Sequence, residues 1–121
     1  MGAIAVGGMA GALARWGLIE LVDGRGGDWP WAVFVANLVG CFVLGMLVAR
    51  YGPRRHVAPL PAGAATGFCG ALTTFSSFAV DLALFLRDDR FVLAALYLTI
   101  SLALGFAVHL TGRAIVDEAA P

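Results

Sequence analysis

The chain has 121 residues, of which 60% are hydrophobic and 13% are charged. Its mean hydropathy of +0.88, with a charged fraction well below the ~25% of an average soluble domain, indicates an all-α integral membrane protein. Eight Arg balance eight Asp plus Glu, so no basic surface points to a nucleic-acid partner. A bilayer core of about 30 Å needs about 20 apolar residues per helix. Four spans therefore fill one domain over residues 1–121.

The first predicted span covers about residues 2–21 and is rich in small residues. Ala3, Gly7 and Gly11 recur at every fourth position and continue to Arg15, and such a face lets another helix backbone approach closely. No basic residues precede the span and no small-residue cleavage site follows it, so we expect a retained helix instead of a signal peptide.

Three further spans follow, and breaks with Pro or charged residues separate them. We predict the second span at about 31–49, the third at 60–86 and the fourth at 91–115. The loop at 50–56 combines Pro with Arg, and the turn at 87–90 is fully charged. Loops this short make consecutive helices antiparallel neighbours.

The middle of the third span is unusually polar for a membrane helix. The stretch from Gly70 to Phe78 reads Gly-Ala-Leu-Thr-Thr-Phe-Ser-Ser-Phe, and glycine and β-branched hydroxyl residues weaken regular helix there. We predict a broken helix, which at membrane depth lines a cavity or binds an ion. Phe75 and Phe78 share a face; they are either plain apolar contacts or ring edges that stabilise a dehydrated anion.

Spans two and four also carry polar residues. Asn37 lies near the middle of span two, and its amide can donate two hydrogen bonds; a helix–helix hydrogen bond is the slightly favoured interpretation, ahead of a ligand contact. Tyr97, Ser101, Gly105 and His109 recur at every fourth position in span four. This face predicts a hydroxyl track, although Tyr97 alone is also explained as an interfacial anchor and His109 as a residue near the opposite interface.

The two cysteines and the arginines carry less information. Cys41 and Cys69 lie in apolar runs, so we expect small buried side chains and no disulfide. Arg is nearly balanced across the predicted membrane, four against three, which specifies orientation only weakly and permits an antiparallel dimer; an orientation fixed by a partner is the alternative. The four are Arg50, Arg54, Arg55 and Arg113, the three are Arg25, Arg87 and Arg90, and Arg15 lies near the end of span one.

Three stretches together resemble the signatures of the CrcB, or Fluc, fluoride channel family. They are Gly8–Trp16 in span one, Asn37–Phe42 in span two and Gly67–Phe78 in span three. The resemblance implies an antiparallel, dual-topology homodimer in the inner (cytoplasmic) membrane of a prokaryote. Its two antiparallel pores would export fluoride passively and so give fluoride resistance.

The resemblance also implies roles for individual residues. The partners would be fluoride, sodium, the lipid bilayer and a second copy of the chain. Gly105, where a serine is expected, and Asp81, where the family more often has Glu, depart from the pattern. The implied fluoride pore residues are Asn37, Phe75, Phe78, Tyr97, Ser101, Thr74 and Ser77; Arg15 would lie at the vestibule, and the carbonyls of Gly70 and Thr73 in both subunits would hold a structural sodium ion at the dimer centre.

Other functions fit the sequence less well. A small proton-coupled multidrug exporter needs a carboxylate embedded in span one, but Glu20 lies at the end of that span. An intramembrane hydrolase pairing Ser101 or Ser76 with His109 lacks a nucleophile elbow and an orienting carboxylate. We therefore expect a channel and not an enzyme.

Overall fold

A computed structural model describes residues 1–22, 28–51 and 63–118. Helices make up nearly all of these residues. The elements are α1 (Gly2–Val22), α2 (Trp31–Tyr51), a π-helix (Gly63–Cys69) that leads into the short α3 (Gly70–Leu72), α4 (Phe75–Arg87) and α5 (Phe91–Glu118).

Among the described residues, four helical segments are long and apolar enough to cross a membrane. They are Gly2–Val22, Trp31–Tyr51, Thr66–Arg87 and Phe91–Glu118, so the predicted all-α architecture with four membrane-length helices is confirmed. α5 ends three residues beyond the predicted end at 115, because polar residues at a membrane surface can continue a helix. The predicted start of the third span at 60 lies outside the described residues.

Glycines bring α1 into direct backbone contact with the π-helix. A Cβ at Gly7 would overlap the Gly63 carbonyl oxygen, and a Cβ at Gly11 would overlap the Phe68 carbonyl oxygen. Gly67 approaches α1 in the same way. The close helix contact that the spacing of small residues predicts for α1 is therefore confirmed at Gly7 and Gly11.

α2 and α5 pack against each other through a second glycine seam. A Cβ at Gly45 would overlap the His109 carbonyl oxygen, and one at Gly112 would overlap the Phe42 carbonyl oxygen. Without a hydrophobic driving force between helices in lipid, such close van der Waals contact is a main source of helix association. The seam fixes α5 against α2, so side chains from the two helices can face one cavity.

An ion pair joins the turn before α5 to the segment before α2. Arg90 lies 2.8 Å from the Asp28 carboxylate, and its guanidinium carbon is 5.8 Å from the centroid of the Phe85 ring. The hydrogen bond and the positive charge of Arg90 lower the pKa of Asp28. Asp89 completes the turn with a φ of 57°, in the left-handed region that Asp tolerates better than most residues.

The contact between α1 and the π-helix yields a stability prediction. Gly11→Ala should lower the free energy of unfolding by about 1–3 kcal/mol, because the added methyl must displace rigid backbone. Gly17→Ala is the matched control, since a Cβ at Gly17 meets nothing within 4 Å. Thermal unfolding of the purified protein in detergent measures both, and equal melting temperatures for the two variants would contradict the proposed contact.

Candidate functional site

The third membrane-length segment is interrupted near its middle. α3 ends at Leu72 and α4 begins at Phe75, and between them the backbone is extended at Thr73 (φ −77°, ψ 150°) and at Thr74 (φ −142°, ψ 110°). This extended pair of residues breaks the regular hydrogen bonding of the helix, although the Thr73 N–H still donates to the Cys69 carbonyl. In an apolar environment its N–H and C=O groups need other partners.

Asn37 of α2 provides those partners for Thr74. The Thr74 N–H donates to Asn37 Oδ1 at 2.8 Å, and Asn37 Nδ2 donates to the Thr74 carbonyl at 3.4 Å. This is the helix–helix hydrogen bond that the sequence slightly favoured for Asn37. Because a primary amide carries two N–H donors, one Nδ2 hydrogen is left for a further partner.

Thr74 also caps the helix that follows it. Its side chain is buried, and Oγ1 accepts a hydrogen bond from the Ser77 N–H at 3.1 Å, which is the usual geometry of a Thr N-cap. The same oxygen donates to Ser77 Oγ and lies 3.1 Å from Ser76 Oγ. Thr73 Oγ1 instead donates to the Cys69 carbonyl at 2.9 Å. Much of the polarity of this run therefore serves to stabilise the interruption.

A cavity of about 530 Å³ lies between α2, the interrupted segment and α5. Ser101 lines it from α5, and the Ser101 Oγ is buried and has no hydrogen-bond partner within the described part of the chain. None of the described residues that line the cavity carries a formal charge. They are Asn37, Gly40, Cys41, Leu44, Thr66, Cys69, Gly70, Thr73, Thr74, Phe75, Phe78, Ser101 and Leu102.

Phe75 and Phe78 both line this cavity, but only one of them is buried. The ring centroids are 6.2 Å apart and the planes are tilted by 42°. Phe75 is 82% exposed, whereas Phe78 is 7% exposed. The shared face that the sequence predicts is confirmed, because both residues line the same cavity.

Tyr97 lies behind Phe78 at the centre of an aromatic cluster. It is fully buried, and its ring centroid is 5.0 Å from that of Phe78, 5.1 Å from Trp29 and 5.8 Å from Phe85. Its hydroxyl donates to Asp81 Oδ2 at 3.3 Å. The Tyr97 ring is therefore packed within the protein. Tyr97 contacts Phe78, which lines the cavity, but Tyr97 itself is not among the described residues that line it.

The remaining predicted residues are placed differently. Ser77 is hydrogen-bonded to Thr74, and Arg15 is half-buried on α1. Neither residue is among the described residues that line the cavity. A Cβ at Gly105 would lie 3.6 Å from Cys41 Sγ, so a thiol lies beside the position where a serine is expected. His109 Nδ1 lies 3.3 Å from the Cys41 carbonyl, a contact to α2 that its predicted position near the interface did not suggest.

Sequence reasoning missed part of the cavity wall and most of the aromatic cluster. Cys41 could have been found, because it lies one helical turn after Asn37 on the same face. Gly40 contacts the Thr73 methyl group so closely that a Cβ would overlap it, a constraint without a local sequence signal. The other residues that were missed are Leu44, Thr66, Cys69 and Leu102 in the cavity wall and Trp29, Phe34 and Phe85 around Tyr97.

These features define a multi-pass membrane protein in which an interrupted helix borders a cavity whose described lining residues are uncharged. The family model described as CrcB-like protein, Camphor Resistance (CrcB), matches residues 2–113. The chain belongs to this family, as its resemblance to the three signatures indicated.

Curated relatives cover nearly the whole chain. A protein of Ignicoccus hospitalis named fluoride-specific ion channel FluC is 38% identical, over 95% of this chain and 93% of its own. A protein of the same name from Solidesulfovibrio magneticus is 42% identical, over 95% and 94%. Fluoride-specific ion channel FluC 1 of Mycolicibacterium paratuberculosis is 38% identical, over 95% and 89%. The family is therefore one of ion channels and not of enzymes.

The burial of Tyr97 predicts unequal effects of two substitutions. Tyr97→Ala should lower the free energy of unfolding by at least about 2 kcal/mol, because it removes a ring that the neighbouring aromatic side chains contact on several sides. Tyr97→Phe should cost about 1 kcal/mol or less, since it removes only one long hydrogen bond. Unfolding in detergent, followed by tryptophan fluorescence, measures both. Equal losses would assign the stabilisation to the hydroxyl group instead of the ring.

Proposed function

We propose that this chain forms a fluoride-selective channel that exports fluoride passively across the inner membrane of a prokaryote. The observation that carries the proposal is the convergence of Asn37, Ser101 and the Phe75–Phe78 pair on one uncharged cavity beside an interrupted membrane helix. Membership of the CrcB family and relatives named as fluoride-specific channels support it. Passive export lowers cytoplasmic fluoride that has entered as the neutral weak acid, and so gives resistance.

Selectivity for fluoride follows from the kind of groups that the cavity offers. Fluoride loses its hydration only at a high cost in free energy, so a pore must replace the water with closely spaced donors. Asn37 Nδ2 has a hydrogen left to donate, and the Ser101 hydroxyl is buried without a partner among the described residues. The positive edges of the two Phe rings add stabilisation. Neutral donors hold the anion weakly enough for it to leave.

The start of α4 adds a favourable electrostatic field. The helix begins at Phe75 beside the cavity, and the N–H groups of its first turn have no acceptor within the helix. The N-terminal end of a helix carries a partial positive charge that favours anions. We place Thr74 and Ser77 along this part of the path and Tyr97 behind Phe78, with Arg15 at the vestibule.

We propose that the functional unit is an antiparallel homodimer with two pores. Phe75 is 82% exposed in the single chain although it lies beside the polar groups of the cavity, and a second copy of the chain would cover it. Most of α1 is also exposed. The near balance of Arg between the two sides of the membrane supports insertion in both orientations.

A structural sodium ion fits the residues at the interruption. Carbonyl oxygens are the hard ligands that such cations prefer, and the residues Gly70 and Thr73 both line the cavity. Gly70 is exposed, and a Cβ there would meet nothing within 4 Å, so its backbone is accessible. We propose that the carbonyls of Gly70 and Thr73 from the two subunits hold the ion, whose positive charge would fix the subunits together.

The alternative, a proton-coupled multidrug exporter, is not favoured. That mechanism needs a carboxylate that exchanges protons within the membrane. On α1, Glu20 is exposed near the helix end, and Asp81 of α4 is engaged by the Tyr97 hydroxyl. The relatives named as channels also speak against it.

Fluoride efflux from liposomes tests the channel directly. Liposomes that contain the purified protein should release fluoride rapidly, as measured with a fluoride-selective electrode, and chloride-loaded liposomes should retain chloride. Asn37→Asp should lower the fluoride flux ~100-fold or more, because a carboxylate repels the anion by several kcal/mol at the effective dielectric of a protein. Normal fluoride flux in Asn37→Asp would show that Asn37 does not lie on the fluoride path.

Phe75→Ile tests the ring edges in the same assay. The flux should fall about tenfold, because isoleucine fills similar space but offers no positive ring edge to the anion. Phe91→Ile is the matched control, since Phe91 is exposed on α5 outside the cavity. Equal flux in the two variants would show that Phe75 acts only as an apolar contact.

Labelling at the turn between α4 and α5 tests the dual topology. In a variant without the native cysteines, Asp88→Cys places a thiol at an exposed position outside the membrane-length helices. A membrane-impermeant maleimide applied to intact cells should label about half of the chains if the Arg balance leaves the orientation unspecified. Labelling of all chains or of none would contradict an antiparallel dimer.

A further inference from the structure

Two backbone N–H groups at the interruption are diverted from their helical acceptors to side chains. In an α-helix the N–H of residue i donates to the carbonyl of residue i−4. In a continuous helix the Thr74 N–H would donate to the Gly70 carbonyl, but here it donates to Asn37 Oδ1 at 2.8 Å. The Ser77 N–H would likewise donate to the Thr73 carbonyl, but it donates to Thr74 Oγ1 at 3.1 Å.

The helical donors of the Gly70 and Thr73 carbonyls are therefore engaged by side chains, whereas the Ala71 and Leu72 carbonyls lose theirs because the Phe75 and Ser76 N–H groups lie in the first turn of α4. A carbonyl oxygen without a hydrogen-bond donor is costly in an apolar environment, and it is also a ready ligand for a small cation. The N–H groups of Thr73 and Phe78, on either side of these residues, keep their helical acceptors. Thr73 N–H still donates to the Cys69 carbonyl, and Phe78 N–H to the Thr74 carbonyl at a longer 3.5 Å.

We propose that Asn37 and Thr74 are positioning residues of the sodium site. Their side-chain oxygens replace the Gly70 and Thr73 carbonyls as hydrogen-bond acceptors, and this leaves both carbonyls free for the cation. The inference rests on the sodium site of the proposed function and assigns Asn37 a second role. Oδ1 prepares the cation site through Thr74, whereas the remaining Nδ2 hydrogen serves the anion, so one amide connects the two sites.

Side-chain variants separate the acceptor role from general stability. Thr74→Val keeps the shape of the side chain but removes the oxygen that accepts the Ser77 N–H, and Thr74→Ser retains that oxygen. Ser76→Ala is the matched control, because it removes a hydroxyl that contacts Thr74 Oγ1 but accepts none of the diverted N–H groups. At Asn37, Asn37→Asp keeps an acceptor for the Thr74 N–H, whereas Asn37→Leu removes it.

The experiment is thermal unfolding of the full-length purified protein in detergent, titrated with sodium chloride against choline chloride at constant ionic strength. We expect sodium to raise the melting temperature of the unsubstituted protein, of Thr74→Ser and of Ser76→Ala at similar concentrations. Thr74→Val and Asn37→Leu should need about tenfold more sodium for the same shift, as expected when a hydrogen bond competes for a ligand. Asn37→Asp should respond to sodium at the same or a lower concentration, because its carboxylate attracts the cation, while it loses fluoride flux.

The outcomes distinguish this inference from the proposed function. Unchanged sodium responses in both Thr74→Val and Asn37→Leu would overturn the positioning role and leave the channel intact. If the unsubstituted protein shows fluoride efflux but no sodium-specific stabilisation, the sodium site itself is wrong. If Thr74→Val fails to fold, the sodium dependence of the melting temperature is compared between Asn37→Leu and Asn37→Asp. Equal sodium dependence in these two variants would overturn the positioning role.

Discussion

The pairing of the Asn37 amide with both backbone groups of Thr74 is the interaction on which the rest of the site depends. Water cannot satisfy stray N–H and C=O groups in the interior of a membrane, so an interrupted helix persists only where the protein supplies partners. Asn37 supplies them from another helix, across 37 positions of sequence. The same hydrogen bonds anchor α2 to the interruption and direct polar groups towards one cavity.

Close backbone packing makes this pairing geometrically possible. Gly40, one turn from Asn37, contacts the Thr73 methyl group without space for a Cβ, which brings α2 near enough for an amide to reach Thr74. Gly11 similarly brings α1 against the π-helix that leads into the interruption. The glycines of this chain therefore serve the site as much as the fold, because they determine how closely the helices that carry polar groups approach.

The site brings neutral hydrogen-bond donors and neutral carbonyl acceptors close together. Hydroxyl, amide and ring-edge donors suit a small anion, and carbonyl oxygens freed from helical hydrogen bonds suit a small cation. None of the described residues that line the cavity is charged, so the ion binding that we propose there would depend on geometry and dehydration instead of on an opposing full charge. Such an arrangement favours rapid passage over tight retention.

The sequence by itself determined the number of membrane-length helices, the polar centre of the third segment and the family, because hydropathy, residue spacing and signature motifs are local properties of the chain. Only the tertiary structure decided that Asn37 binds the Thr74 backbone, that Phe75 is exposed while Phe78 is buried, and that Tyr97 lies within a cage of aromatic rings. These facts depend on which helices touch and at what distance. Contacts between residues far apart in sequence set both, and no local pattern encodes them.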